Sequence, residues 1–130
     1  MPSMVVCDTH VLLYRMLEPQ RLSRRASAVL ADADAVCSDI SLWEVAMLAF
    51  KGRISVGQRE LPLFLHDLTA GWGTIVLPIT PEIAALAYAP AFSHGDPADR
   101  IIAATAMAHG APLITEDRLL HGVVGLNAVW

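Results

Sequence analysis

The sequence predicts an α/β domain built around a parallel β-sheet. Short apolar runs bounded by charge, Gly or Pro alternate with stretches whose apolar residues recur at helical spacing. The short runs, MVVC and AVCS among them, carry three or four consecutive apolar residues, the pattern of strands covered on both faces. A chain of 130 residues that is 55% hydrophobic is also long enough to close one sizeable core.

The elements follow in order. Residues 4–7 (MVVC) read as a buried strand, and THVLLYRML (9–17) continues at helical spacing. Ser23 is placed to cap a second helix running to about residue 32. AVCS (35–38) is a second strand, and 41–50 a helix with Gly52 as its stop. Ser41 and Glu44 have the spacing of a capping box. LPLFLHDLTA (61–70) is helical, with Pro62 tolerable only in the first turn. TIVLP (74–78) is a strand, and Thr80-Pro81-Glu82 starts a helix that ends before Pro90. The longest helix is PADRIIAATAMAHG (97–110), with Asp96 at its N-cap, Pro97 at N1, Asp99 at N3 and Gly110 as its stop. PLIT (112–115) is a strand, DRLL a short helical turn and NAVW a last strand. No repeat, linker or low-complexity segment divides the chain, so 1–130 is expected to be a single domain.

Several function classes recede on composition. Charge, His or Pro breaks every apolar run well short of the roughly 18 residues a membrane span needs, so no membrane partner is expected. MPSMVV has neither the basic nor the long apolar region of a secretory signal, and the expected compartment is the cytoplasm. Cys7 and Cys37 each close a short apolar run and read as buried free thiols in a reducing compartment. Neither they nor His10, His66, His94, His109 and His121 show zinc-site spacing. GxxxxGK[ST] and GxGxxG are both absent, which lowers nucleotide-binding readings. A net charge of −4 argues against a simple basic nucleic-acid binder. The basic residues nevertheless gather, at Arg15, Arg21, Arg24 and Arg25 and again at Lys51 and Arg53.

The acids carry the functional signal. Ligands of parallel α/β sheets collect at the carboxyl ends of strands, near the point where strand order reverses. Asp8 follows the first strand directly, Glu44 lies in the first turn of the helix after the second, and Asp117 follows the strand at 112–115. Asp96 and Asp99 join that edge if residues 89–95 cross over to it. Capping accounts for Asp96, Asp99 and Glu44 taken singly, but accounts less well for Asp8 and Asp117. Clustered carboxylates raise one another's pKa values and need cations to stay ionised. Oxygen-only donors favour Mg²⁺ or Mn²⁺, ions suited to phosphodiester chemistry.

In these residues the chain resembles the PIN-domain ribonucleases, particularly the VapC-type toxins of type II toxin–antitoxin pairs. The resemblance is carried by CDTHVLLY, SDISLWEVAMLAFKGRI, LPITPEIA, HGDPADRIIAATAMAHGAPLITED and the closing VW, in order over nearly the whole chain. It implies a three-layer PIN-like α/β fold with a central parallel sheet flanked by helices. It also implies a Mg²⁺- or Mn²⁺-dependent endoribonuclease that hydrolyses RNA with a metal-held water, leaving 5′-phosphate and 3′-hydroxyl ends. Position by position, its acids fall on Asp8, Glu44, Asp99 and Asp117. Asp8 and Asp99 would be the principal metal ligands, with Glu44 and Asp117 acting directly or through water. Thr9 and Thr115 match the family's supporting hydroxyls, and Asp96 is read mainly as the helix cap. The implied partners are RNA, a VapB-like antitoxin in the groove beside the acids, and a second copy in a homodimer. Leu42, Val45, Ala46 and Ala49 form a stripe that is either core or dimer surface. Arg24, Arg25, Lys51 and Arg53 are candidate contacts for the RNA backbone, with a solvated helix face as the even alternative. Arg100 either pairs with a neighbouring acid or touches phosphate. Two other classes compete. A non-catalytic PIN-like module that only binds RNA or protein has little reason to keep a repulsive acid cluster. A receiver-like phospho-acceptor lacks paired acids after the first strand and a late lysine.

Overall fold

The computed structural model describes residues 3–90, 92 and 95–130. His94 therefore lies outside the described residues. Among the described residues, five parallel strands form one sheet: β1 (Met4–Cys7), β2 (Asp34–Ser38), β3 (Ile75–Leu77), β4 (Leu113–Ile114) and β5 (Ala128–Val129). Their order is β3-β2-β1-β4-β5. The chain builds outward from β1 in one direction and then returns to the other side of it. The switch point is thus the gap between β1 and β4, where Val6 is paired with Leu113 and Cys7 with Ile114.

Helices cover both faces, as the continuous apolar strands require. Val5 and Cys7 of β1 point to one face and Val6 to the other, the alternation inherent in a strand. Val5, Cys7, Cys37 and Ile114 meet helices α1 (Thr9–Leu17), α2 (Arg24–Asp32), α3 (Ile40–Phe50) and α4 (Leu61–Leu68). On the opposite face, Val6, Val36 and Leu113 meet α5 (Pro81–Leu86), α6 (Pro97–Ala108) and α7 (Arg118–His121). The result is the expected three-layer arrangement.

The local signals mostly operate as read. Ser23 accepts from Ala26 N at 3.0 Å to start α2, and Thr80 accepts from Ile83 N at 3.2 Å to start α5. Gly52 and Gly110 follow α3 and α6 with φ of 72° and 61°, the left-handed region that favours glycine. One signal fails. α3 begins at Ile40 after Asp39, so Ser41 is already inside the helix and the capping box does not form. Glu44 correspondingly stands in the second turn, not the first. The reason is tertiary: the side chains of Ser41 and Glu44 both turn to Thr9 at the start of α1. Asp39 spends its own carboxylate on Ile79 N, at 3.3 Å, beyond the end of β3.

Candidate active site

Four chain segments bring their acids to the β1/β4 gap. Asp8 leaves β1 and caps α1, accepting from Thr9 N at 2.8 Å through Oδ1. Its Oδ2 accepts from the Thr115 hydroxyl at 2.6 Å, and its amide donates to Ile114 O across the gap at 3.0 Å. Asp8 is only 7% exposed. Burial pushes its carboxyl above the ordinary range, and the bonds from Thr115 and Thr9 oppose that rise. The same Thr115 oxygen accepts from Asp117 N at 3.0 Å, so one buried hydroxyl fixes two acids. Asp117 in turn caps α7 by accepting from Leu119 N at 3.0 Å.

Glu44 enters from α3. The Thr9 hydroxyl donates its one proton to Glu44 Oε1, so Ser41 must be the donor in the 2.9 Å bond between the two hydroxyls. Ser41, Thr9 and Glu44 thus form a directed chain that holds the carboxylate in place. Half-burial pushes Glu44 upward, against the Thr9 bond, and the charges of Asp8 and Asp96 add to the rise.

The fourth segment is the start of α6. Asp96 Oδ1 accepts from Ala98 N at 2.9 Å and from Asp99 N at 3.5 Å, as a capping aspartate does. Capping is not all it does. One carboxylate oxygen from each of Glu44, Asp96 and Asp99 lies within 4.8 Å of the others. Asp8 and Asp117 line the same cavity, of about 230 Å³, and Glu116 makes a sixth carboxylate on its wall. Among the described lining residues only His10 is able to carry positive charge. Six acids around so small a volume repel one another unless cations are present. The donors are all oxygens, a set suited to a hard divalent cation.

A PIN-domain family model matches residues 5–125. The chain belongs to the PIN-domain family. It is 43% identical over 118 residues to Ribonuclease VapC22 of Mycobacterium tuberculosis, covering 89% of this chain and 88% of that protein. The fold is also that of VapBC2 from Rickettsia felis bound to a promoter DNA fragment (TM-score 0.67, 13% identity, 97% of each chain). A toxin–antitoxin complex from Klebsiella pneumoniae shares it too (TM-score 0.65, 23% identity, 97% of this chain and 96% of that one).

Within this PIN domain, the structure brings together Asp8, Thr9, Glu44, Asp96, Asp99, Thr115 and Asp117, and it separates the basic candidates. Arg24 and Arg25 are exposed on α2, and Lys51 is exposed just beyond α3. Arg53 lines a groove that adjoins the acidic cavity. Arg100 lies with its guanidinium 5.6 Å from the Tyr88 ring centroid. Sequence reasoning passed over Glu116, His10, Tyr14 and Ser41. Glu116 sits between two residues already selected, at the strand end nearest the switch point, and that position was a usable signal. His10 and Tyr14 share a face of α1 through i,i+4 spacing just after Asp8. The Tyr14 hydroxyl donates to Glu116, while burial and that carboxylate push the phenol up to about 12, so it stays a donor. Among the described residues no helix is long and apolar enough to cross a membrane.

Proposed function

We propose that this PIN domain is a Mg²⁺- or Mn²⁺-dependent endoribonuclease, the toxin of a type II toxin–antitoxin pair. The observation that carries the reading is the cavity walled by six carboxylates at the sheet's switch point. The similarity to a ribonuclease over most of the chain supports RNA as the substrate class. Glu44, Asp96 and Asp99 would hold the cation, with Asp8 and Asp117 completing its surroundings directly or through water. When bound, such an ion would supply charge neutralisation at the phosphoryl oxygens and lower the pKa of a water that could serve as nucleophile. Thr115 favours the ionised form of Asp8, and the Ser41–Thr9 chain aims Glu44. Such hydrolysis leaves 5′-phosphate and 3′-hydroxyl ends and needs no RNA 2′-hydroxyl.

The partner is a VapB-like antitoxin. An apolar groove lined by Ile40, Trp43, Met47, Pro97 and Ile101 opens beside the acids and shares Glu44 and Asp96 with them. Trp43 is 60% exposed there, as expected of a surface that a protein segment covers. Phe50, also exposed on α3, adds apolar surface in keeping with a homodimer, which sedimentation tests. Two buried free thiols suit the cytoplasm.

The test is incubation of a structured RNA pool with purified, antitoxin-free protein in Mg²⁺ or Mn²⁺ and in chelator. Cuts bearing 5′-phosphates that appear only with the ion are expected. RNA that is bound but never cut would overturn the reading in favour of a binding module. Cleavage unaffected by chelator would overturn the metal assignment.

A further inference from the structure

The acidic cavity has a neighbour of opposite character. His10 and Tyr14 form a shared wall, and beyond it lies a groove of about 290 Å³ whose sides include Arg21, Arg53, Leu13 and Ile54. Arg21 comes from the turn after α1 and Arg53 from the segment after α3, so the fold brings the two cations to one place. Arg21 is held in position. Its guanidinium lies 4.3 Å from the Tyr14 ring centroid and 3.8 Å from Glu18 Oε2. Tyr14 is buried and bonded to Glu116 of the acidic cavity, so its ring places the Arg21 guanidinium beside the wall the two regions share. The His10 ring, exposed and 6.1 Å from the Tyr14 ring, stands between the two regions.

The geometry points to this groove as the path of the RNA strand on one side of the cleaved phosphate. Arg21 and Arg53 bind successive backbone phosphates and His10 offers its ring to a base. This assignment rests on the ribonuclease reading above and extends it to substrate positioning. Glu18 is then a competitor: it neutralises Arg21 in the free protein and is displaced by phosphate.

The experiment measures cleavage kinetics and the salt dependence of binding for a short single-stranded RNA. It compares wild type, Arg21→Ala/Arg53→Ala, Glu18→Gln and a one-charge surface control, Arg59→Ala, which removes an exposed arginine paired with Asp67 outside the groove. The double variant should raise KM at least tenfold with kcat within threefold. It should also flatten the slope of log K against log salt by about 1.4, at roughly 0.7 for each phosphate no longer neutralised. Glu18→Gln should lower KM, and Arg59→Ala should change neither quantity. A double variant with wild-type KM and slope, in a protein that still cuts RNA, overturns the groove while the ribonuclease reading stands. A loss per charge removed equal to that of Arg59→Ala overturns it also, since general surface charge would then suffice. Wild-type protein that cuts no RNA overturns the parent reading instead.

Discussion

Replacing Thr115 by Val isolates what one buried hydroxyl does for the acids. The two side chains have nearly the same shape, and Thr115 is fully buried, so the exchange opens no cavity and changes only the polar partner. It removes the 2.6 Å bond to Asp8 Oδ2 and the acceptor for Asp117 N. A hydrogen bond to a charged group contributes about 1.5–3 kcal/mol, and each 1.36 kcal/mol is a factor of ten. Because Asp8 is buried, losing this bond favours its protonated form, which cannot hold a cation. Divalent-ion affinity should therefore fall about ten- to a hundredfold, the range typical when a group supporting a metal ligand is removed. Calorimetric titration of metal-free protein with Mn²⁺ measures this directly, and the ion concentration giving half-maximal cleavage should rise in parallel. Thr115→Ser, which restores the hydroxyl, should recover most of the affinity. A folded Thr115→Val protein that binds Mn²⁺ as tightly as wild type would refute the coupling of Asp8 to the ion.

Three further outcomes follow from the same geometry. Asp96→Ala should lower stability by about 1 kcal/mol through loss of the cap, whereas Asp96→Ser keeps the cap and the stability. Both should lose cleavage; urea midpoints and rates separate the two roles, and full activity in Asp96→Ser would reduce Asp96 to a cap. Asp8 and Glu44 have folded pKa values raised chiefly by burial, so the folded protein holds more protons than the unfolded chain between the ordinary and the raised values. Their contribution is fully present below the unfolded pKa of about 4 and is lost as pH rises through the folded pKa. In chelator, then, wild type should lose thermal stability relative to Asp8→Asn as pH rises toward 7, and Mn²⁺ should restore it. A difference independent of pH contradicts that. Burial pushes the thiols of Cys7 and Cys37 up to about 12 and about 11, so neither should be alkylated at pH 8 in the folded protein. Labelling at the rate of the denatured protein would show the core is open.

Local chemistry made much of this fold legible. Asp96, Pro97 and Gly110 bound the longest helix because each acts within one turn of its own position. MVVC and AVCS identify the central strands because burial on both faces puts apolar residues at consecutive positions. What the sequence concealed depends on distant partners. Ser41 and Glu44 have the spacing of a capping box, yet Thr9, presented beyond the end of the neighbouring strand β1, outcompetes the helix terminus for both. Asp96 carries an unmistakable capping signature, and only the approach of α3 to α6 shows that it also joins Glu44 and Asp99. Arg21 and Arg53 looked like members of two separate basic clusters, and the fold alone distinguishes them from Arg24, Arg25 and Lys51.

The most direct test of the central claim is RNA cleavage by wild type, Asp8→Asn and Asp99→Asn side by side, across a Mn²⁺ titration. The acid cluster predicts cuts that rise with the ion in wild type and fall at least a hundredfold in both variants, with the fold unchanged by circular dichroism. Cleavage that persists in both variants at the wild-type rate would place the chemistry elsewhere in the molecule.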